Sequence, residues 1–171
     1  MLQHRQPSRI FVKKKLMLCI WWDQLGVVYY ELLKPNETIT GTLYRTQLMR
    51  LSRALKEKRA HYYFRHDKII LLHDNARPHV AAPVKTYLET LKWEVLPHPP
   101  YSTDIVPSDY LFRSMTHGLS EQHFTSYEDT KNCIDDWIAS KDEAFFRRVA
   151  CIHMLPERWE KVVASDGHYF E

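Results

Sequence analysis

Cysteine is scarce in this chain. Cys19, Cys133 and Cys151 are the only three, and they form no CxxC or zinc-ligand spacing. That excludes a disulfide scaffold and a zinc module, and the three read as reduced thiols of an intracellular protein. Long apolar runs are missing too. No stretch approaches the roughly 20 residues needed to cross a bilayer. The basic opening, Met1 to Lys15, leads into no apolar segment with a cleavage site. A membrane is therefore not an expected partner. Strong charge is also lacking: the formal net value is +3 over 171 residues. Such mild basicity permits contact with nucleic acid without specifying it. There is no internal repeat, low-complexity tract or domain linker. What is present suits one compact domain, since 44% of residues are hydrophobic and 26% are charged.

Hydropathy patterning gives the order of elements. Residues 1–15 are polar and basic, ending in Lys13-Lys14-Lys15, and read as an arm or loop. Leu16–Trp22 is apolar and of strand length. Asp23-Gln24-Leu25-Gly26 is a turn, and Val27–Leu33 is the β-branched and aromatic return strand of a hairpin. From about Thr40 to Arg59, Tyr44, Leu48, Leu51 and Leu55 recur at helical spacing. Ile69–His73 reads as a strand covered on both faces. Pro78 suits the first turn of a helix whose buried stripe is Ala81, Val84, Leu88 and Leu91. Trp93–Leu96 is a further strand, and residues 97–109, with four prolines, form an extended loop. Ser108 is a candidate cap for the next helix. Thr125, with Glu128 three residues on, caps another. A short helix near Phe145–Val149 and one starting at Pro156 complete the series. Strands followed by alternating α and β imply a mixed sheet with helices packed on it. The five tryptophans are most simply core residues.

Two acids stand out by context. Asp74 directly follows an apolar strand, and the carboxyl ends of strands are where sites sit in open α/β sheets. Asp109 begins a helix after a proline-rich loop, where the helix dipole favours a carboxylate by a few tenths to about 1 kcal/mol. On spacing alone the ordinary readings are a turn or cap role for Asp74 and a dipole role for Asp109.

The local words change that weighting. His73-Asp74-Asn75-Ala76-Arg77-Pro78-His79 resembles the H-D-N-A-x-x-H motif of mariner transposases. Tyr101-Ser102-Thr103-Asp104-Ile105-Val106-Pro107-Ser108-Asp109-Tyr110 looks like that family's Y-S-P-D-L-A-P-S-D-Y. Between Asp74 and Asp109 lie 34 residues, the separation of the second and third aspartates in the mariner triad. Met17–Asp23, Leu91–His98, Leu155–Lys161 and Ser165–Phe170 carry the likeness through most of the chain. The same domain occurs in SETMAR-type fusions, where it follows a SET methyltransferase; no SET segment is present here.

The resemblance implies an RNase H-like (retroviral-integrase-like) α/β fold with flanking helices. It also implies DNA cleavage and strand transfer in the nucleus. Three acids would hold two divalent ions, Mg²⁺ or Mn²⁺, as suits hard cations and oxygen ligands. Asp74 and Asp109 would be two of the ligands. Asn75 and His79 would contact phosphate or orient Asp74, although a packing role for His79 stands beside that. The implied partner is DNA, with homodimerisation, and not a small-molecule substrate. Lys13, Lys14, Lys15 and the Arg50/Arg53 side of the first helix are candidates for phosphate contact; a solvated helix face is the ordinary reading.

Departures set further expectations. The family's first aspartate lies well upstream of its W-W-D word, yet the residues before Trp21 include no Asp or Glu. Asp23, in the hairpin turn, is no substitute. Residues 16–171 thus read as a truncated catalytic domain without its first, central strand, and inactive alone. Ser8–Val12 is not expected to replace that strand fully. The sheet would close up, the hairpin be displaced, or stability be marginal. A non-catalytic DNA-binding or interaction module, or a remnant without a selected role, are the alternatives. Asp109-Tyr110 also runs directly into Leu111, where the family has an intervening histidine. Thr103 replaces a proline.

Overall fold

The structure, a computed structural model, describes residues 16–65, 69–96, 107–120, 122, 124 and 126–150. Strands β1 (Leu18–Asp23) and β2 (Gly26–Leu32) form the expected antiparallel hairpin. Its turn is locked from three sides. Asp23 Oδ1 accepts the Leu25 N–H at 2.8 Å. The Arg59 guanidinium donates to both Asp23 oxygens, at 2.9 and 3.0 Å. Gly26 takes φ +130°, which side chains disfavour, and the Phe146 ring lies 3.7 Å from where its Cβ would be. The register shifts between Trp21 and Trp22, so that Val27 and Val28 share one step of the ladder.

Both faces of the hairpin are covered, which builds three layers. On one side Trp21, Val28 and Tyr29 join Tyr44, Leu48 and Leu51 of α1 (Gly41–Lys58) and Val84 and Leu88 of α3 (Ala82–Leu91). On the other, Leu18, Ile20, Trp22 and Val27 meet Leu111 and Met115 of α4 (Pro107–Leu119), Trp137 of α5 (Tyr127–Ala139), and Phe146 and Val149 of α6 (Glu143–Ala150). Alternation along β1 sends neighbours to opposite cores, whereas the bulge puts the β2 neighbours Val28 and Tyr29 on the same side. The α1 stripe follows the expected spacing, and Thr40 caps it by accepting the Leu43 N–H at 3.2 Å.

Strands β3 (Ile70–Leu72) and β4 (Glu94–Leu96) pair in parallel around α3. Among the described residues the strands form two separate two-stranded ladders, β1–β2 and β3–β4. The sequence suggested a β3 covered on both faces. Instead Leu71 is buried while Ile70 is 60% exposed, because only one face of this short pair meets α1 and α3.

Local signals were displaced at several ends. Helix α3 starts at Ala82 with Pro83 in its first turn, not at Pro78. Residues 77–80 instead close a turn on the Ala76 carbonyl, which accepts from His79 N–H at 2.9 Å and Val80 N–H at 3.2 Å. Helix α4 begins at Pro107, so Ser108 lies within the first turn and does not cap it. Ser126 caps α5, accepting the Asp129 N–H at 3.1 Å, in place of Thr125, which lies outside the described residues. A six-residue helix, α2 (Ala60–Arg65), was not anticipated. Its HYYFR run has no helical period to betray it. Most of the proline-rich loop, 97–106, and the helix expected at Pro156 lie outside the described residues. No helix among the described residues is long and apolar enough to cross a membrane.

Two features give stability predictions. At Gly118 on α4 an added Cβ would sit 2.9 Å from Trp137 Cδ1 and 3.0 Å from its Nε1. Glycine to alanine inside a helix normally gains up to about 1 kcal/mol. Here overpacking against a buried indole, costing about 1–3 kcal/mol, outweighs it. Gly118→Ala is expected to lower the urea midpoint with little change in slope; a raised midpoint would show that α4 and α5 can separate freely.

The second feature is Glu31, whose side chain is 14% exposed. It accepts from the Tyr29 hydroxyl, from Gln47 Nε2 at 2.9 Å and from Arg50 Nη1 at 2.5 Å. Burial pushes its carboxyl up, but the three donors and the Arg50 charge together hold it below the usual carboxylate value. The same setting, burial first, pushes the Tyr29 hydroxyl up to about 12. A depressed folded-state value stabilises above the unfolded one and is lost as pH falls through it. Melting temperature should therefore drop as pH falls below about 4.5. Glu31→Gln should flatten part of that drop, as read by thermal melts between pH 7 and pH 3.

Candidate catalytic site

Strand β3 delivers His73 and Asp74 at its carboxyl end. The Asp74 side chain is 60% exposed and shapes its own surroundings. Its Oδ1 accepts the Ala76 N–H at 3.0 Å, closing an Asx-type turn. The same oxygen lies 2.6 Å from His79 Nδ1. An ionised carboxylate can only accept, so Nδ1 carries the proton.

Behind this pair stands a buried aromatic wall. Tyr44, 3% exposed, packs its ring 4.2 Å from the His79 ring, centre to centre. Its hydroxyl lies 2.9 Å from His73 Nδ1. The His73 and His79 rings stack at 5.3 Å, within 7° of parallel. Trp21 of β1 also lies against Tyr44, with ring centres 6.2 Å apart. Burial keeps the Tyr44 hydroxyl well above the usual phenol range; Trp21 opposes this, while the nearby Asp74 charge adds to it. Beside the turn runs an open groove of about 360 Å³, lined by His73, Asn75, His79, Lys85, Glu89 and Trp93 among others.

The sequence-derived candidates divide as follows. Asp74 and His79 are in direct contact, and exposed Asn75 shares the groove with His79. Asp109 lies in the first turn of α4, with its side chain outside the described atoms. Lys13, Lys14 and Lys15 lie outside the described residues. Arg50 is engaged with Glu31, whereas Arg53 is exposed on the outer side of α1. Asp23 is occupied by the Arg59 fork, a structural role. No group of three or more His, Cys, Asp or Glu is placed to hold a metal ion among the described residues. Sequence reasoning missed Tyr44, which it took as one more residue of the α1 stripe. The signal was a hydroxyl-bearing ring in a stripe otherwise made of leucine.

A family model described as "Transposase (partial DDE domain)" matches residues 2–64. The mariner Mos1 transposase of Drosophila mauritiana is 58% identical over 167 residues, 97% of this chain and 47% of that protein. The Mos1 catalytic domain solved with raltegravir and Mn superposes with a TM-score of 0.85 at 59% identity, covering 95% of this chain and 80% of that one. The chain belongs to the mariner transposase family. Its match extends to the histone-lysine N-methyltransferase SETMAR of Homo sapiens, 37% identical over 96% of this chain and 24% of that protein. Mos1 transposase has also been solved as a paired-end complex with the left transposon end (TM-score 0.83, 55% identity, all of this chain and 48% of that one). The chain thus spans about half the length of Mos1 transposase. The mixed α/β architecture described above is that of the Mos1 catalytic domain.

Proposed function

We propose that this mariner domain carries part of a metal-dependent site for DNA strand cleavage and transfer, with Asp74 and Asp109 as two of three carboxylates for Mg²⁺ or Mn²⁺. The observation that carries the reading is the presentation of Asp74. A largely exposed carboxylate stands at the carboxyl end of a strand, held by a turn it forms itself and by His79. Its oxygens are hard donors of the kind such cations take. Bound ions would supply Lewis-acid activation of a water or a DNA 3′-hydroxyl and would stabilise the leaving oxygen. The protein's own residues position that chemistry. His79 fixes the Asp74 carboxylate, Asn75 is exposed beside it for phosphate, and the Lys13–Lys15 arm adds positive charge for the DNA backbone. The first turn of α4 gives Asp109 a setting that favours its charged form. Transposon-end and target DNA are the partners, with dimer assembly, and the nucleus is the compartment.

The 171 residues taken alone are proposed to lack the first central strand of an RNase H-like sheet, and with it the first aspartate. The separate ladders that β1–β2 and β3–β4 form among the described residues support this, as does the want of any acid before Trp21. Two carboxylates neutralise less charge than three, so two cations would be held weakly. That same shortage favours the second reading, a DNA-binding module without catalysis. The test is a nicking assay on a pre-cleaved transposon-end duplex with Mn²⁺. The polypeptide alone is expected to bind the duplex in a salt-dependent way and to leave it uncut. Nicking that Asp74→Ala abolishes would overturn the claim of inactivity. Loss of all duplex binding at low salt would overturn both readings.

A further inference from the structure

The residue nothing assigns to the site is Tyr44. It is one of the most deeply buried polar-tipped side chains described, and it lies on a helix remote in sequence from Asp74. Packing alone would be served by leucine, as at Leu48, Leu51 and Leu55 of the same stripe. Yet the ring and the hydroxyl each meet a different histidine of the site. The ring lies 4.2 Å from His79, and the hydroxyl lies 2.9 Å from His73 Nδ1. The two imidazoles stack on one another, so both are held from one anchor.

We propose that Tyr44 is a positioning residue for the metal site: its ring and hydroxyl fix the His73–His79 stack, and that stack holds the Asp74 carboxylate in one orientation for a divalent cation. This rests on the reading of Asp74 as a cation ligand. The physical reason is that His79 binds Asp74 through Nδ1 at 2.6 Å only while its ring plane is set correctly. An imidazole at the edge of an exposed turn rotates about two side-chain bonds. Here the His79 ring packs against both Tyr44 and His73, which also touch each other at 5.8 Å between ring centres, and this three-ring cluster hinders that rotation. Trp21, tilted against Tyr44, ties the anchor to β1, so hairpin, α1 and β3 all converge on one carboxylate. Partners that orient a metal ligand are typically worth about 10–100-fold in metal affinity.

The test uses the 171-residue chain and Mg²⁺, titrated while the backbone amide signals of residues 73–79 are followed by NMR. This suits weak binding. Tyr44→Phe keeps the ring on His79 and removes the hydroxyl; Tyr44→Leu removes both. Mg²⁺ affinity should fall about tenfold in Tyr44→Leu and no more than about threefold in Tyr44→Phe. Long-range nitrogen–proton spectra should show a single Nδ1–H form of His79 in the parent and in Tyr44→Phe. Tyr44→Leu should give a mixture of ring forms. A purely structural role would lower the melting temperature in both variants and leave the His79 spectrum of the folded fraction unchanged. The proposal is overturned if folded Tyr44→Leu keeps parental Mg²⁺ affinity and the parental His79 spectrum. Should Tyr44→Leu not fold, Tyr44→Phe decides, because the proposal requires its His73 ring signals to change; unchanged signals overturn it. If Asp74→Asn leaves Mg²⁺ binding intact, the cation reading itself has failed. The His79 spectra of the Tyr44 variants then still tell whether the anchor exists.

Discussion

Asp74→Asn is expected to remove divalent-cation binding from this domain while leaving its fold in place. Asparagine is the sharper probe because its side-chain oxygen can still accept the Ala76 N–H, so the Asx turn is retained. What disappears is the negative charge, and with it the strong bond to His79. Asp74 is largely exposed, so this change should lower the melting temperature only slightly. For chemistry the loss is far larger. Ions in such sites contribute several kcal/mol of charge stabilisation, and each 4 kcal/mol is roughly a thousandfold in rate. In a polypeptide joined to a segment that supplies the third carboxylate, strand cleavage should therefore fall by about a thousandfold or more. The checks are a Mg²⁺ titration on the chain and a cleavage time course on the joined form. Residual cleavage within tenfold of the parent would remove Asp74 from the ligand set.

Leu48→Ala is expected to cost about 2–5 kcal/mol of stability. Leu48 is fully buried at the centre of the α1 core, between the hairpin and α3. Domains of this kind are stable by only about 5–15 kcal/mol, so the variant should be close to unfolding at 37 °C. Leu111, equally buried in the opposite core, should give a loss of the same size. The informative comparison is the shape of the two urea curves. Since the hairpin belongs to both cores, each substitution should shift one shared transition. If Leu111→Ala melts α4–α6 in a separate step while α1 stays folded, the layers are independent. Urea unfolding followed by near- and far-ultraviolet circular dichroism separates the outcomes.

Much of this architecture can be read from the residues. The hairpin was legible because LMLCIWW and VVYYELL have strand composition and the DQLG between them offers no competing structure. The α1 stripe was legible because four large residues hold one period over three turns. The errors arose where two residues offered the same local signal. Pro78 and Pro83 both qualify for a helix start, and the turn that serves Asp74 and His79 uses up the first of them. Thr125 and Ser126 are adjacent hydroxyls, each with an acid three residues on, and the same local pattern fits either, although Ser126 caps α5. The motif His73–His79 marked the site but not its depth. Tyr44 reaches it from a residue 29 positions earlier in sequence, a contact no local pattern encodes.

The hairpin with a helical layer on either side bears on how this protein can be trimmed. Its two faces answer to different partners: Trp21, Val28 and Tyr29 to α1 and α3, Leu18, Ile20, Trp22 and Val27 to the later helices. Cutting the chain after β4 to obtain a smaller soluble piece would strip one side of the hairpin and leave three aliphatics and an indole facing water. Such a piece should clump, or recruit a second copy of itself to hide the bared surface. A workable minimal version must keep both flanks, however little the distal one contributes to the carboxylate at the end of β3.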